Sequence, residues 1–466
     1  MPATDAALLT AEDMLALYAR RLLSPVEVLQ AVTERIAQFN PALNAFAVLN
    51  PRALEAAGES EMRWRVGRPI GPLDGVPCTV KDLVDVAGFP TRRGSRTSDP
   101  NPVADDAPSV VGLKAAGAVI VGKTTTTEYG WKSPGDCPLN GITRNAWNPA
   151  HTTGGSSSGA GAAGAAGFGP LHIGTDAGGS IRIPAAWCGL VGLKPTLGRV
   201  PIWPASAFPG VSVLGPMTRT VRDAAMMFAA MAHYDVRDPY CVPDEGRDWL
   251  AGIEDGVAGL RIGVLRRPGF DAPVDTDGVT AVERAAALLA EAGAIIEEAV
   301  PNLPDTREVF SRVWGATLSR LVANTPQQQR DWLDPGILEV ARTLGSMSAI
   351  EYLDAEAMRS TTAHEMARLH QTFDLVLCPA APGPPPLADA PLSDPVTALW
   401  TEWAPWTFTF NITRQPAISM PLGQRASGLP NAVQLAAAQY RDDLVLRAAR
   451  VLEQAVPVPV AELSAA

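Results

Sequence analysis

Between Thr152 and Ser180 glycine, alanine, serine and threonine dominate the chain, and Asp176 is the only charged residue. Side chains this small suit a helix pressed tightly against neighbouring backbone, so the segment demands a close-packed interior around it. Gly159-Ala160-Gly161-Ala162-Ala163-Gly164 also spells G-x-G-x-x-G. A dinucleotide loop needs an apolar strand immediately before its first glycine, and only Ser156-Ser157-Ser158 stands there.

The rest of the chain can supply that interior. Its 466 residues are 47% hydrophobic and 19% charged, enough for a large core. Length alone would allow about three domains. Strands and helices nevertheless alternate throughout without an internal repeat, which argues for one α/β domain with a large sheet. Residues 10–39 read as two helices. Thr10-Ala11-Glu12-Asp13 and Ser24-Pro25-Val26-Glu27 have the form of capping boxes, and Asn40-Pro41 is expected to end the second helix. Val76–Val80 fits a buried strand, Ser109–Gly117 a helix and Ala118–Val121 another buried strand. Leu260–Val264, Val279–Ala292 and Ala294–Ile296 read as strand, helix and strand of a βαβ-like unit. Leu375–Leu377 reads as a strand, and the proline-rich Ala380–Pro391 as a surface loop.

Several chemistries fail on physical grounds. Gly117–Thr124 matches G-x-x-x-x-G-K-[ST], but its β-branched run lies between the glycines, where a phosphate loop must present exposed amides. His364-Glu365 lacks the second histidine of H-E-x-x-H, and a solvated helix face accounts for His364 and His370. No G-x-S-x-G elbow is present, although His151 and His172 near the small-residue segment leave a Ser-His-Asp triad open. Cys78, Cys137, Cys188, Cys241 and Cys378 form no C-x-x-C pair, so reduced thiols in a cytoplasm are expected, with no metal or cofactor. A net charge of −11 argues against nucleic acid and anionic membranes as partners. Met1–Asp5 shows no basic, apolar leader, and the longest bulky apolar stretch, Ala224–Ala232, is too short to span a bilayer.

One constellation points to chemistry. In Thr175-Asp176-Ala177-Gly178-Gly179-Ser180-Ile181-Arg182, paired glycines let successive backbone N–H groups converge on an oxyanion beside the Ser180 hydroxyl. Alone, this is a plausible anion-binding turn. A second Gly-Gly-Ser, Gly154-Gly155-Ser156, precedes it, and Lys81 ends an apolar strand, where burial would lower its pKa towards that of a general base.

At these residues the chain closely resembles the amidase-signature family. The matching segments are Gly71–Pro77 running to Val80-Lys81-Asp82, then Gly117–Thr124, Gly154–Gly159 and Gly174–Pro195. Gly428-Leu429-Pro430 with Val433-Gln434 completes the match. The resemblance implies a single α/β domain with a large mixed sheet flanked by helices. Residues 1–60 would supply N-terminal helices, 61–250 the catalytic core, and 251–466 the remaining strands and substrate-pocket elements. It implies Lys81 as base, Ser156 as bridging serine, usually preceded by a cis peptide bond, and Ser180 as the acylated serine. The N–H groups of Ala177, Gly178, Gly179 and Ser180 would form the oxyanion hole, braced by Asp176 and Arg182. Three departures, Gly159-Ala160-Gly161, Arg414 where glycine is frequent, and Pro430-Asn431-Ala432, bear on substrate rather than on chemistry.

Tyr129, Gly130 and Trp131 correspond to a stretch that often lines the family's acyl pocket. Trp400, Trp403, Trp406 and Phe408 form an aromatic cluster that reads either as core or as an apolar funnel ending at Trp403. The expected activity is hydrolysis of a small-molecule amide, hydrophobic or aryl, with carbamates, urethanes and esters also admitted, by a monomer or homodimer. Two alternatives remain open: a glutamine-hydrolysing subunit of a tRNA-dependent amidotransferase, and a catalytically silent binding protein of the same fold.

Overall fold

The computed structural model describes residues 6–390, 394–458 and 460–463. The Trp400 side chain, Pro391 and the Met1–Asp5 segment lie outside the described residues.

Among the described residues, eleven strands form one mixed sheet. In chain order they are β1 (Phe46–Leu49), β2 (Pro77–Lys81), β3 (Val119–Thr124), β6 (Leu171–Asp176), β7 (Val191–Lys194), β8 (Val213–Thr218), β9 (Arg261–Leu265), β10 (Ile295–Ala299), β11 (Leu375–Pro379), β12 (Ala417–Gln424) and β13 (Pro430–Ala437). A separate small hairpin pairs β4 (Asp136–Cys137) with β5 (Gly141–Ile142). The sheet order is β1-β3-β2-β6-β8-β7-β12-β13-β11-β9-β10. β2 runs parallel to both β3 and β6, whereas β6, β8, β7, β12 and β13 follow one another antiparallel. Every residue of β2 and β3 is buried. Strands covered on both faces read as continuous apolar runs rather than as alternation, which is the pattern of Val76–Val80 and Ala118–Val121. The helices Pro108–Ala115 and Thr276–Glu291 and the parallel pair β9/β10 fall where the sequence places them, and β3 runs on to Thr124.

The small-residue segment becomes the helix Ser158–Ala166, with all nine residues buried. A Cβ on Gly159 would lie 2.2 Å from Ala45 O and 2.4 Å from Thr125 N, so only glycine lets the helix come this close to the neighbouring backbone. The phosphate-loop match dissolves into strand. Lys123 is buried within β3, 2.9 Å from Asp82 Oδ1, and donates to Thr91 Oγ1 and Pro90 O.

The N-terminal helices span Ala11–Ala19 and Pro25–Leu43. Ser24 and Glu27 exchange both bonds of a capping box, a device that stabilises a helix by about 1 kcal/mol. Thr10 makes only half of one: it accepts from Asp13 N, while its hydroxyl donates to the Asp13 carboxylate. Asn40-Pro41 does not end the second helix. It runs to Leu43 and closes at Asn44, in the left-handed conformation, whose N–H donates to Asn40 O. Proline so near the end removes one intrahelical bond, and continuation buries Leu43 in the core. The described part of Ala380–Pro391 is loop, but not wholly at the surface: Ala380 and Ala381 are buried and Ala388 N–H donates to Ala150 O.

Candidate active site

Parallel pairing of β2 with β6, in the register Thr79 to His172 and Val80 to Ile173, brings Lys81 and the turn after Asp176 to the same edge of the sheet. This is where open α/β sheets place their ligands, beyond the carboxyl ends of parallel strands. The loop entering the helix Ser158–Ala166 carries Ser156 and Ser157 to the same point, after a cis peptide bond between Gly155 and Ser156.

Lys81 is fully buried. Its Nζ lies 2.7 Å from Ser156 Oγ, 3.0 Å from Ser157 Oγ and 2.8 Å from Thr175 Oγ1. Ser157 directs its hydroxyl proton to Thr175 O, so towards Lys81 it can only accept. Burial drives the Lys81 pKa well below the usual lysine range, opposed by the attraction of Asp176. A neutral amine here donates two N–H bonds and keeps one lone pair for a third hydroxyl.

Asp176 and Arg182 organise the turn around Ser180. Arg182 Nε and Nη2 each lie 2.9 Å from a different Asp176 carboxylate oxygen. The remaining Arg182 N–H groups reach Thr407 O, Gln434 Oε1 and Asn411 Oδ1, so all five donors are used. Burial alone would raise the Asp176 carboxyl; Arg182, by charge and hydrogen bonds, and the Asn411 amide outweigh it and hold the group below the ordinary carboxylate range. The same carboxylate accepts from Gly179 N and Ile181 N. Gly179 has φ +135°, and a Cβ there would meet Thr407 Oγ1 at 2.3 Å.

Of the four amides expected to hold an oxyanion, that of Gly179 donates to Asp176 Oδ1 at 2.7 Å. Among the described residues, no protein acceptor takes the N–H of Ala177, Gly178 or Ser180. No hydrogen bond joins Ser156 Oγ to Ser180 Oγ among the described residues, but both residues line the same cavity. Ser180 is 9% exposed while Lys81 is 0%, so the two serines stand between the buried amine and the open space.

That cavity encloses about 900 Å³. Tyr129 and Gly130 line it, together with a wall that sequence reasoning did not find: Ile202, Trp203 and Phe208 on the segment joining β7 to β8, and Leu214 in β8 itself. Tyr129 is held by a 2.7 Å hydrogen bond between its hydroxyl and Thr97 Oγ1. Trp131 and Trp403 do not line this cavity. They pack edge to face at 5.9 Å and border a hollow of about 20 Å³ shared with Gly130, Gly178, Ser180 and Phe310. Trp406 and Phe408 are core: Trp406 packs with Phe410 and donates to Pro273 O, and Phe408 stacks on Phe310 and Phe270. Arg414, one of the three departures, has φ +62°, a conformation that favours glycine, and its Nε donates to Gly210 O, between the lining residues Pro209 and Ser212.

The histidines do not form a triad here. His172 is buried in β6 between Thr79 Oγ1 and Gly169 O, and burial lowers its pKa to about 3. His151 Nδ1 donates to Pro385 O, and no histidine lines the cavity among the described residues. His364 is exposed and His370 half-buried, its Nδ1 bonded to Phe373 O. Asn411, Gln434 and Thr407 were not assigned from sequence; their neighbourhood in the family resemblance was the only signal available.

The model of the family described as Amidase matches residues 27–446. An acylamidase of Rhodococcus erythropolis is 35% identical over 457 residues, 96% of each chain. A glutamyl-tRNA(Gln) amidotransferase chain of Desulfosudis oleivorans is 31% identical over 480 residues, 97% of this chain and 98% of that one. The solved structure of a bacterial aryl acylamidase of the amidase-signature family superposes with a TM-score of 0.88 at 28% identity, covering 97% of each chain. No helix among the described residues is long and apolar enough to cross a membrane. With a family model matching most of its length and relatives matching end to end, the chain belongs to the amidase-signature family.

Proposed function

We propose that this chain hydrolyses hydrophobic or aryl amides through an acyl-enzyme on Ser180, with Ser156 and Lys81 relaying the proton. The observation that carries the reading is the buried Lys81 amine 2.7 Å from Ser156 Oγ, at the sheet edge where Ser180 faces the cavity. Family membership supports hydrolysis of carbon–nitrogen amide bonds.

In this reading neutral Lys81 takes the Ser156 hydroxyl proton as Ser156 takes that of Ser180. Ser180 Oγ bonds to the substrate carbonyl carbon, and the N–H groups of Ala177, Gly178 and Ser180 receive the oxyanion. The proton returns through Ser156 to the leaving nitrogen, the C–N bond breaks, and the amine departs. Water, deprotonated by the same relay, then cleaves the ester and restores Ser180. Amines leave poorly unless protonated, which is why a serine placed to deliver a proton matters more here than in an esterase. Carbamates, urethanes and esters present the same electrophile and fall within the reading.

The resemblance to an amidotransferase chain keeps glutamine as a second reading. A cavity of about 900 Å³ walled by Ile202, Trp203 and Phe208 favours a bulkier, apolar substrate. A hydrolysis panel of anilides, alkyl amides, carbamates, esters and free glutamine, without partner chains, separates the two. Turnover of anilides above glutamine supports the proposal; release of ammonia from glutamine alone contradicts it. A binding protein without chemistry would turn over none of the panel and would leave Ser180 unlabelled by a fluorophosphonate.

A further inference from the structure

The protein carries a net charge of −11, yet among the described residues no aspartate or glutamate lines its large cavity. The formal charges on that lining are two arginines, Arg93 and Arg320. Arg93 is partly compensated: it donates to Thr91 O and lies 4.0 Å from Asp85. Arg320 is not. It belongs to the helix Thr306–Asn324, whose other arginines are both paired, Arg307 with Asp305 and Arg312 with Glu308. Among the described residues Arg320 has no hydrogen-bond or ion-pair partner. Asn324, one turn further along the same helix, adds an amide to the same stretch of wall.

A cation in a cleft with low-dielectric walls is felt more strongly than one on an open surface. The lining that Arg320 shares with Ser180 also includes Ile202, Trp203, Phe208 and Leu214, so an occupant of the cavity meets a largely apolar wall. We propose that Arg320 anchors a carboxylate on the substrate, so that the preferred amides are amphiphilic: an apolar body joining the scissile carbonyl to a remote carboxylate. This rests on the reading of Ser180 as the reacting residue and adds the class of substrate to it. A guanidinium suits the role because its fork matches a carboxylate in two bonds.

The test separates anchoring from chemistry by measuring binding to the Ser180→Ala protein. The probes are mono-anilides of linear dicarboxylic acids and anilides of the matching monocarboxylic acids, over a range of chain lengths. A second pair carries the carboxylate, or no substituent, on the aniline ring. At least one carboxylate probe is expected to bind about tenfold more tightly than its neutral match, the scale of one charged hydrogen bond. Adding Arg320→Ala should bring that ratio to near one. The same ratio, read as KM in the protein with Ser180 intact, should fall with added salt, because Arg320 is exposed and screened. Equal binding of every charged and neutral pair, or a preference that survives Arg320→Ala, overturns the anchor. Since Ser180→Ala reads binding alone, failure of the anchor leaves the Ser180 chemistry to its own test. Failure of that chemistry would appear instead as undiminished turnover in Ser180→Ala.

Discussion

Lys81 Nζ and Ser156 Oγ, 75 positions apart in the chain, lie 2.7 Å from each other and are both shielded from solvent. An ammonium buried here would carry an incompletely compensated charge; a neutral amine has a hydroxyl proton to accept.

The first prediction follows from that pair. Burial lowers the Lys81 pKa, so the basic form is present above a value well below the ordinary ~10.4 of lysine. A plot of kcat/KM against pH should rise through that lowered pKa and then level. Lys81→Arg stays protonated at all accessible pH and should lose about 100- to 10,000-fold in kcat. A parental rate in Lys81→Arg would remove Lys81 from the relay.

Asp176→Asn tests the brace. It leaves Arg182 buried with one carboxylate partner gone, a change that costs about 3–5 kcal/mol in comparable buried pairs. The unfolding midpoint in urea should fall accordingly. Activity at a temperature where the variant is still folded should also drop, because the Asp176 carboxylate holds Gly179 N–H and Ile181 N–H in the turn.

Glu128 gives a stability signature. Burial raises its pKa to about 7, although Ser95 Oγ and Asp334 N donate to it. The folded state therefore holds this proton more tightly than the unfolded chain, and the group's contribution is fully present below an unfolded pKa of about 4.3. It is lost as pH rises through about 7. Glu128→Gln should flatten the fall in stability across that window, read as urea midpoints at several pH values; an unchanged pH slope would contradict the assignment.

Arg414→Gly probes the wall. Glycine relieves a left-handed backbone position, while the bond to Gly210 O is lost. Stability should change by no more than about 1 kcal/mol. KM for bulky anilides should rise more than KM for acetanilide, because Gly210 lies between the lining residues Pro209 and Ser212 and is not part of the reacting turn.

Much of the site was legible because its signals are local. Gly-Gly-Ser occurs twice between Gly154 and Ser180, and Lys81 ends a run of buried residues. The Arg182 contacts were not legible: Thr407, Asn411 and Gln434 reach it across 225 to 252 positions, and nothing in their own surroundings marks them as polar core. The Gly179 N–H bond to Asp176 was not legible, because a Gly-Gly turn does not reveal which of its amides a neighbouring carboxylate will take. Trp131 was grouped with Tyr129 through the family resemblance and Trp403 by aromatic character, whereas Tyr129 lines the large cavity and the two tryptophans border the small hollow that shares Gly130 and Ser180 with it. The segment from Ile202 to Leu214 offers no period to read, and only folding shows that it closes a cavity. In the fold, β2, β3, β9, β10 and β11 were legible from short apolar runs while the other strands of the sheet were not read, and the helix past Pro41 was decided by burial of Leu43.

The most direct measurement is peptide mapping of the protein quenched during turnover of an aryl amide. The account predicts that the acyl mass appears on the peptide containing Ser180 and disappears in Ser180→Ala, which folds but does not turn over. An acyl mass on any other residue, or near-parental turnover by Ser180→Ala, would contradict it.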